Sequence, residues 1–111
     1  MNRKLYISKK IKGVEGRVDY YLLENRYEDI ENGISTYVFG VEICKTAIDE
    51  YSVEFVQKKT VCDLSVDRER VIEFLYMIAD NDVLPVSLTD IVADFAGEGF
   101  FQMTESKGKT A

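Results

Sequence analysis

Residues 65–97 read SVDRERVIEFLYMIADNDVLPVSLTDIVADFAG, a pattern of helix, stop, proline and second helix. In the second helix, Ser87 is placed to accept hydrogen bonds from the free amides of the first turn, and Asp90 can reach back three residues later. This is a capping box with aspartate in place of the usual glutamate. Val86 and Ile91 fall where a hydrophobic staple would close. Leu88, Ile91, Val92 and Phe95 share one helical face, opposite Thr89, Asp90 and Asp94. Gly97 is suited to a left-handed stop, with Gly99 just beyond.

The preceding helix has Ser65 as its expected cap, with Asp67 and Glu69 in the first turn, where negative charge suits the positive end of the helix. Its buried stripe is Val71, Phe74, Leu75, Ile78 and Ala79. Ile72, Tyr76 and Met77 widen that stripe, so the helix should be covered on more than one side. Asn81 tolerates positive φ and Pro85 cannot continue a helix, which places the stop between them. Isolated helices below ~12–15 residues are marginal in water, so both helices need a sheet to pack on.

The sequence before them supplies four strands. Residues 4–11 alternate, with Leu5, Ile7 and Ile11 on one face and Tyr6, Ser8 and Lys10 on the other. Lys12 to Gly16 reads as a hairpin turn. Arg17 to Glu24 places Val18, Tyr20 and Leu22 on one side and Tyr21 and Leu23 on the other, so both faces of this strand should be partly covered. Asn25 to Gly33 reads as a polar loop closing on Asn32-Gly33. Ile34 to Lys45 carries Tyr37, Phe39, Val41 and Ile43 in phase, and Thr46 to Glu50 turns the chain. In the fourth strand Tyr51, Val53 and Phe55 are in phase but Cys62 and Leu64 have the opposite parity. Either a bulge near Gln57 to Lys59 or a break into two short strands reconciles them. Short connections leave no room for crossovers, so the expected fold class is α+β: a four-stranded antiparallel meander followed by two helices on one face. Residues 1–97 form the single expected domain. Residues 98–111 form a tail whose end, Ser106 to Ala111, is expected to be disordered.

The segment Asp67-Arg68-Glu69 with Val71, then Pro85-Val86, Leu88, Asp90-Ile91-Val92, Asp94 and Phe95, resembles the C-terminal signature of a family of short bacterial proteins of unassigned function. Those proteins are similar in element order too, and the likeness covers the last third of the chain. The resemblance implies the fold and brings no activity or catalytic residue with it.

At 111 residues and 46% hydrophobic composition the chain is long enough for one modest core. It holds no apolar run of membrane-spanning length, and Met1 to Lys12 lacks the apolar core of a signal peptide, so a cytoplasmic location is expected. Charge is divided unevenly: residues 1–17 carry six basic side chains against one acidic, and residues 18–111 carry eight against nineteen, leaving a net −6.

The chain has no histidine, which removes the commonest proton-transfer group, the commonest zinc ligand and every His-dependent nucleophile arrangement. Nothing marks one of the twenty carboxylates above the rest, so no enzyme activity, cofactor or metal is expected. Cys44 should lie opposite a residue near Ser52 rather than Cys62, which makes both cysteines free buried thiols. Glu28 to Gly33 lacks the ligand alternation of a calcium loop. Arg3, Lys4, Lys9, Lys10 and Lys12 are the only candidate nucleic-acid surface, and a charge-guarded edge strand explains them better.

The expected function is therefore that of a small non-enzymatic protein-binding regulator or adaptor, with homodimerisation a further option. The alternative is an acidic inhibitor that occupies the nucleic-acid groove of an enzyme, as anti-defence proteins of phages and mobile elements do. Candidate partner-binding residues are Glu28, Asp29, Glu31, Asp80, Asp82, Asp90 and Asp94, together with Phe100, Phe101 and Met103 beyond the second helix. Two aromatics there would either fold back onto the core or dock into a partner. A ligand-binding role would require an apolar cavity between sheet and helices.

Overall fold

The computed structural model describes residues 1–11 and 15–102. It contains β1 (Asn2–Lys10), β2 (Glu15–Asp29), β3 (Ile34–Ile48), β4 (Glu54–Ser65), α1 (Arg68–Asp80), a single 3₁₀ turn (Pro85–Ser87) and α2 (Leu88–Gly97). The strands lie in the order β1-β2-β3-β4, all antiparallel, so the expected meander and α+β class are what the chain forms.

Side chains directly opposite one another on neighbouring strands share a face, and the register separates the two sides of the sheet. Val18, Tyr20 and Leu22 of β2 and Phe39, Val41 and Ile43 of β3 form one buried cluster with Val71, Phe74, Leu75, Ile78 and Ala79 of α1 and with Leu88 of α2. The α1 stripe is the one its spacing predicts. The other side of β2 is covered too: Leu23 is only 2% exposed, and Tyr21 is half-buried.

Two bulges correct the strand-level expectations. In β1 the register shifts between Leu5 and Ile7, which pair with Tyr21 and Tyr20 respectively. Tyr6 is the extra residue, so Tyr6, Ile7 and Ile11 all pack against the core while Leu5 is exposed on the far side. In β4, pairing with β3 runs without a shift from Glu54 through Val61, so neither a bulge at Gln57 to Lys59 nor a break is present. The irregularity falls later, where Val61 pairs with Val41 and Ser65 with Phe39, so that β4 uses two more residues than β3 while Val61 and Ser65 keep the parity of Phe55. Asp63 takes φ +57° there, and Gly40 lies so close that an added Cβ would overlap the Val61 carbonyl. Phe55, opposite Ala47, has the core parity, yet it remains exposed because the helices do not reach it.

The hairpins also differ from expectation. Asn25 to Asp29 is strand rather than loop, pairing in continuous register with Ile34 to Val38, and only residues 30–33 turn. Its polarity reflects solvent on both sides. The β3–β4 turn centres three residues later than expected, so Cys44 opposes Lys58 rather than a residue near Ser52. Both cysteines are free but half-buried rather than buried. Part of the Lys12 to Gly16 turn lies outside the described residues.

Helix ends are well specified, though not by the expected residues. Asp67, not Ser65, caps α1: its carboxylate accepts from the Arg70 amide, while the Ser65 hydroxyl accepts from the Asp67 amide. Ser87 makes no side-chain capping bond, because Pro85 starts a 3₁₀ turn that already places Ser87 in helical backbone. Val86 points into solvent at 83% exposure, so no staple forms. Both helices close with Schellman motifs. In α1, the Val83 amide donates to Ile78 and the Asp82 amide to Ala79, and Asp82, not Asn81, takes the left-handed position at φ +53°. In α2, the Phe100 amide donates to Phe95 and the Gly99 amide to Ala96. Gly99 at φ +79° is the left-handed residue, whereas Gly97 is still helical.

That second motif turns the chain back onto the core. Phe74 lies 5.3 Å from Phe95 and 5.0 Å from Phe101, ring centroid to centroid, and Phe100 lies 5.2 Å from Phe95. Of the two options for the aromatics, folding back is the one found, and packed structure extends past Gly97 to Phe101. Met103 and Ser106 to Ala111 lie outside the described residues.

Two outcomes follow for stability. Gly40→Ala should cost about 1–3 kcal/mol by forcing the β3–β4 bulge apart, while Gly97→Ala, with nothing near its Cβ, should be neutral or gain up to about 1 kcal/mol; urea midpoints measure both. Tyr20 donates its hydroxyl proton to the Val83 carbonyl at 2.7 Å, and burial, with the Asp82 charge beside it, pushes its pKa up to about 12. The folded state therefore favours the neutral phenol. That contribution is whole below the ordinary tyrosine pKa of about 10 and is lost as pH rises towards 12. Tyr20→Phe should remove a step near pH 12 from the ultraviolet titration and flatten the loss of stability across that window.

Candidate partner-binding surfaces

Beyond Glu24 and Phe39 the sheet narrows to two strands. β1 begins opposite Glu24 and β4 ends opposite Phe39, so Asn25 to Val38 projects as a lone hairpin arm. Five residues per strand give it a reach of ~17 Å. Tyr27, Ile34 and Tyr37 are exposed along the arm, and Ile30 at its tip is 91% exposed. Asp29 holds the tip in shape: its carboxylate accepts from the Asn32 amide at 3.3 Å and from the Asn32 side chain at 2.7 Å. Glu28 lies 3.5 Å from Arg26, and Glu31 is exposed. Three of the candidate acids are thus gathered among exposed aromatic and aliphatic side chains.

The remaining candidates are elsewhere. Lys9 donates to Asp82 at 2.6 Å and to the Ala79 carbonyl at 2.8 Å, placing a cation on the negative end of α1. Lys9 pairs with Val18, ten residues along β2 from Glu28, so Asp82 and the arm are separated by ~33 Å of strand. Asp80 is exposed at the end of α1, and Asp90 and Asp94 are exposed on α2. Phe100 and Phe101 belong to the core.

Sequence reasoning passed over two further carboxylates. On the helix-free face, Glu42 is 5% exposed and accepts from Arg3 at 2.6 Å and from Thr60 at 2.9 Å. Arg3 crosses β2 to reach it, stacking 3.7 Å above the centre of the Tyr21 ring. Burial opposes the charge on Arg3, but the bond and charge of Glu42 outweigh it and raise the guanidinium pKa further. Asp19 accepts from Ser8 at 2.6 Å and from Arg17 at 3.1 Å. The available signal was an acid between two core residues in Val18-Asp19-Tyr20 and Val41-Glu42-Ile43. Each such acid needs a partner on its own face. These networks absorb Arg3 and Arg17, as Asp82 absorbs Lys9, so much of the basic N-terminal segment is engaged within the fold. Lys12 lies outside the described residues.

An open cleft of about 600 Å³ lies beside the end of α1, lined by residues including Lys9, Lys10, Ile11, Tyr20 and Leu84. Its walls come from β1, from Val18 and Tyr20 of β2, and from the segment that follows α1. Among the described residues, no three Cys, Asp or Glu side chains are grouped to hold a metal ion, and no helix is long and apolar enough to cross a membrane.

Neither a curated protein nor a solved structure matches the chain. The model of a family of unknown function, DUF6514, matches residues 2–98, so the family likeness runs through all four strands and both helices rather than the last third alone. The chain belongs to that family of unknown function.

Proposed function

We propose that this protein is a non-enzymatic protein-binding regulator or adaptor that inserts its β2–β3 arm into an apolar cleft with a basic rim on another protein. The observation that carries this reading is the arm itself. A two-stranded hairpin contributes little to stability unless something packs on it, yet this one has an ordered tip and four exposed apolar side chains flanked by Glu28 and Glu31. Preorganised apolar groups with a charged surround suit recognition, because little conformational freedom is lost on binding.

The alternative, inhibition of a nucleic-acid-binding enzyme, would draw on the same acids. It would also require Asp80, Asp82, Asp90 and Asp94 to continue the line of charge, and the distance to Asp82 and its pairing with Lys9 favour the arm acting by itself.

Immobilised full-length protein should retain a specific partner from native extract. Retention should be lost on Tyr27→Ser with Ile30→Ser, weaken on Glu28→Gln with Glu31→Gln, and survive Asp90→Asn with Asp94→Asn. Retention that depends on Asp90 and Asp94 and is competed by duplex DNA would support the inhibitor reading instead, and retention indifferent to the arm would contradict the proposal.

A further inference from the structure

We propose that the outer edge of β4 is a self-association surface, pairing antiparallel with the same strand of a second copy about a two-fold axis at Val56. The two sheet edges differ in kind. β1 presents Lys4 and Lys10, with Arg3 and Lys9 already paired within the fold, and it carries no acid to match the charges of a second β1. In β4, residues 54–60 are all exposed, with Phe55 at 53% and Val56 at 60%, no proline or glycine, and charges of both signs.

Symmetry restricts the registers available to such a pair. Residues opposite one another across an antiparallel two-fold must share a face, so their numbers must sum to an even value. Centring on Val56 sets Val56 against its own copy and Glu54 against Lys58 of the second copy, and the axis repeats that ion pair. Centring on Gln57 instead sets Glu54 against Thr60 and Phe55 against Lys59. Centring on Phe55 sets Glu54 against Val56. Among these registers only the Val56-centred one matches opposite charges.

Register with β3 confirms that Glu54, Val56 and Lys58 stand together on the helix-free face, opposite Ile48, Thr46 and Cys44. On the helix side, Phe55 falls opposite Gln57 of the second copy. Gln57 borders the shallow groove it shares with Pro85 and Val86, so pairing brings Phe55 towards the otherwise solvated Val86. A second copy is the partner whose chemistry fits, because β4 is complementary to itself and the β1 edge is not.

Sedimentation equilibrium of the full chain tests this through charge reversal at exposed positions. The wild type should dimerise, and Glu54→Lys or Lys58→Glu alone should each weaken the dimer by ~10-fold or more. The double variant should recover it, and an equimolar mixture of the two single variants should form the heterodimer, since each then offers the charge its partner lacks. Thermal melts matching the wild type verify folding, and Tyr27→Ser with Ile30→Ser should leave the dimer intact, which separates this surface from the arm. A wild type that stays monomeric at roughly 0.5 mM, or single variants that dimerise as well as the wild type, would overturn the proposal. So would failure of both the double variant and the mixture to restore association.

Discussion

The structure depends on how much sheet one short helix can cover. α1 has thirteen residues and is ~20 Å long. β2 and β3 have fifteen each and extend ~50 Å, close to the 57 Å long dimension of the molecule. Burial of Val18, Tyr20, Leu22, Phe39, Val41 and Ile43 under α1 is therefore confined to the middle of the strands. α2 and the returning phenylalanines thicken that contact around Phe74 without lengthening it. Both ends of the β2–β3 ribbon have to overhang, and the exposed side chains collect on those overhangs and on the β4 edge.

The helix-free face is held differently. Arg3 reaching over Tyr21 to Glu42, and Asp19 between Ser8 and Arg17, are partnered buried carboxylates. Removing one partner would leave a charge without compensation, which costs more than the pair itself contributes. These networks tie β1 to β2 and β3, while the Lys9 contact ties β1 to the end of α1. The N-terminal strand is thus fastened on both faces by its positive charges.

Element order, strand pairing and the α1 stripe were legible in the sequence because they rest on periodicity, which the core enforces. Finer placements were not. The Leu5–Ile7 bulge and the shift after Val61 depend on a Tyr6 that packs on Tyr76 and on close backbone approach at Gly40, both tertiary effects. Ser87 looked like a cap until Pro85 set a 3₁₀ turn before it. The arm read as a loop because polarity was taken for irregularity, when it reflects strands exposed on both faces. Its three acids were legible as a group, but the scatter of the other four and the burial of Phe101 depend on the folded path.

The account's central claim is that a short covered zone supports long uncovered strands, and native-state hydrogen exchange tests it most directly. Amides in the paired centres of β2 and β3, around Val18 to Leu23 and Phe39 to Ile43, should exchange only through global unfolding. The ladder amides of Asn25 to Asp29 and Ile34 to Val38 should exchange faster by local opening, with lower apparent free energy and little denaturant dependence. Protection of the arm equal to that of the centre, in the isolated protein, would contradict the account.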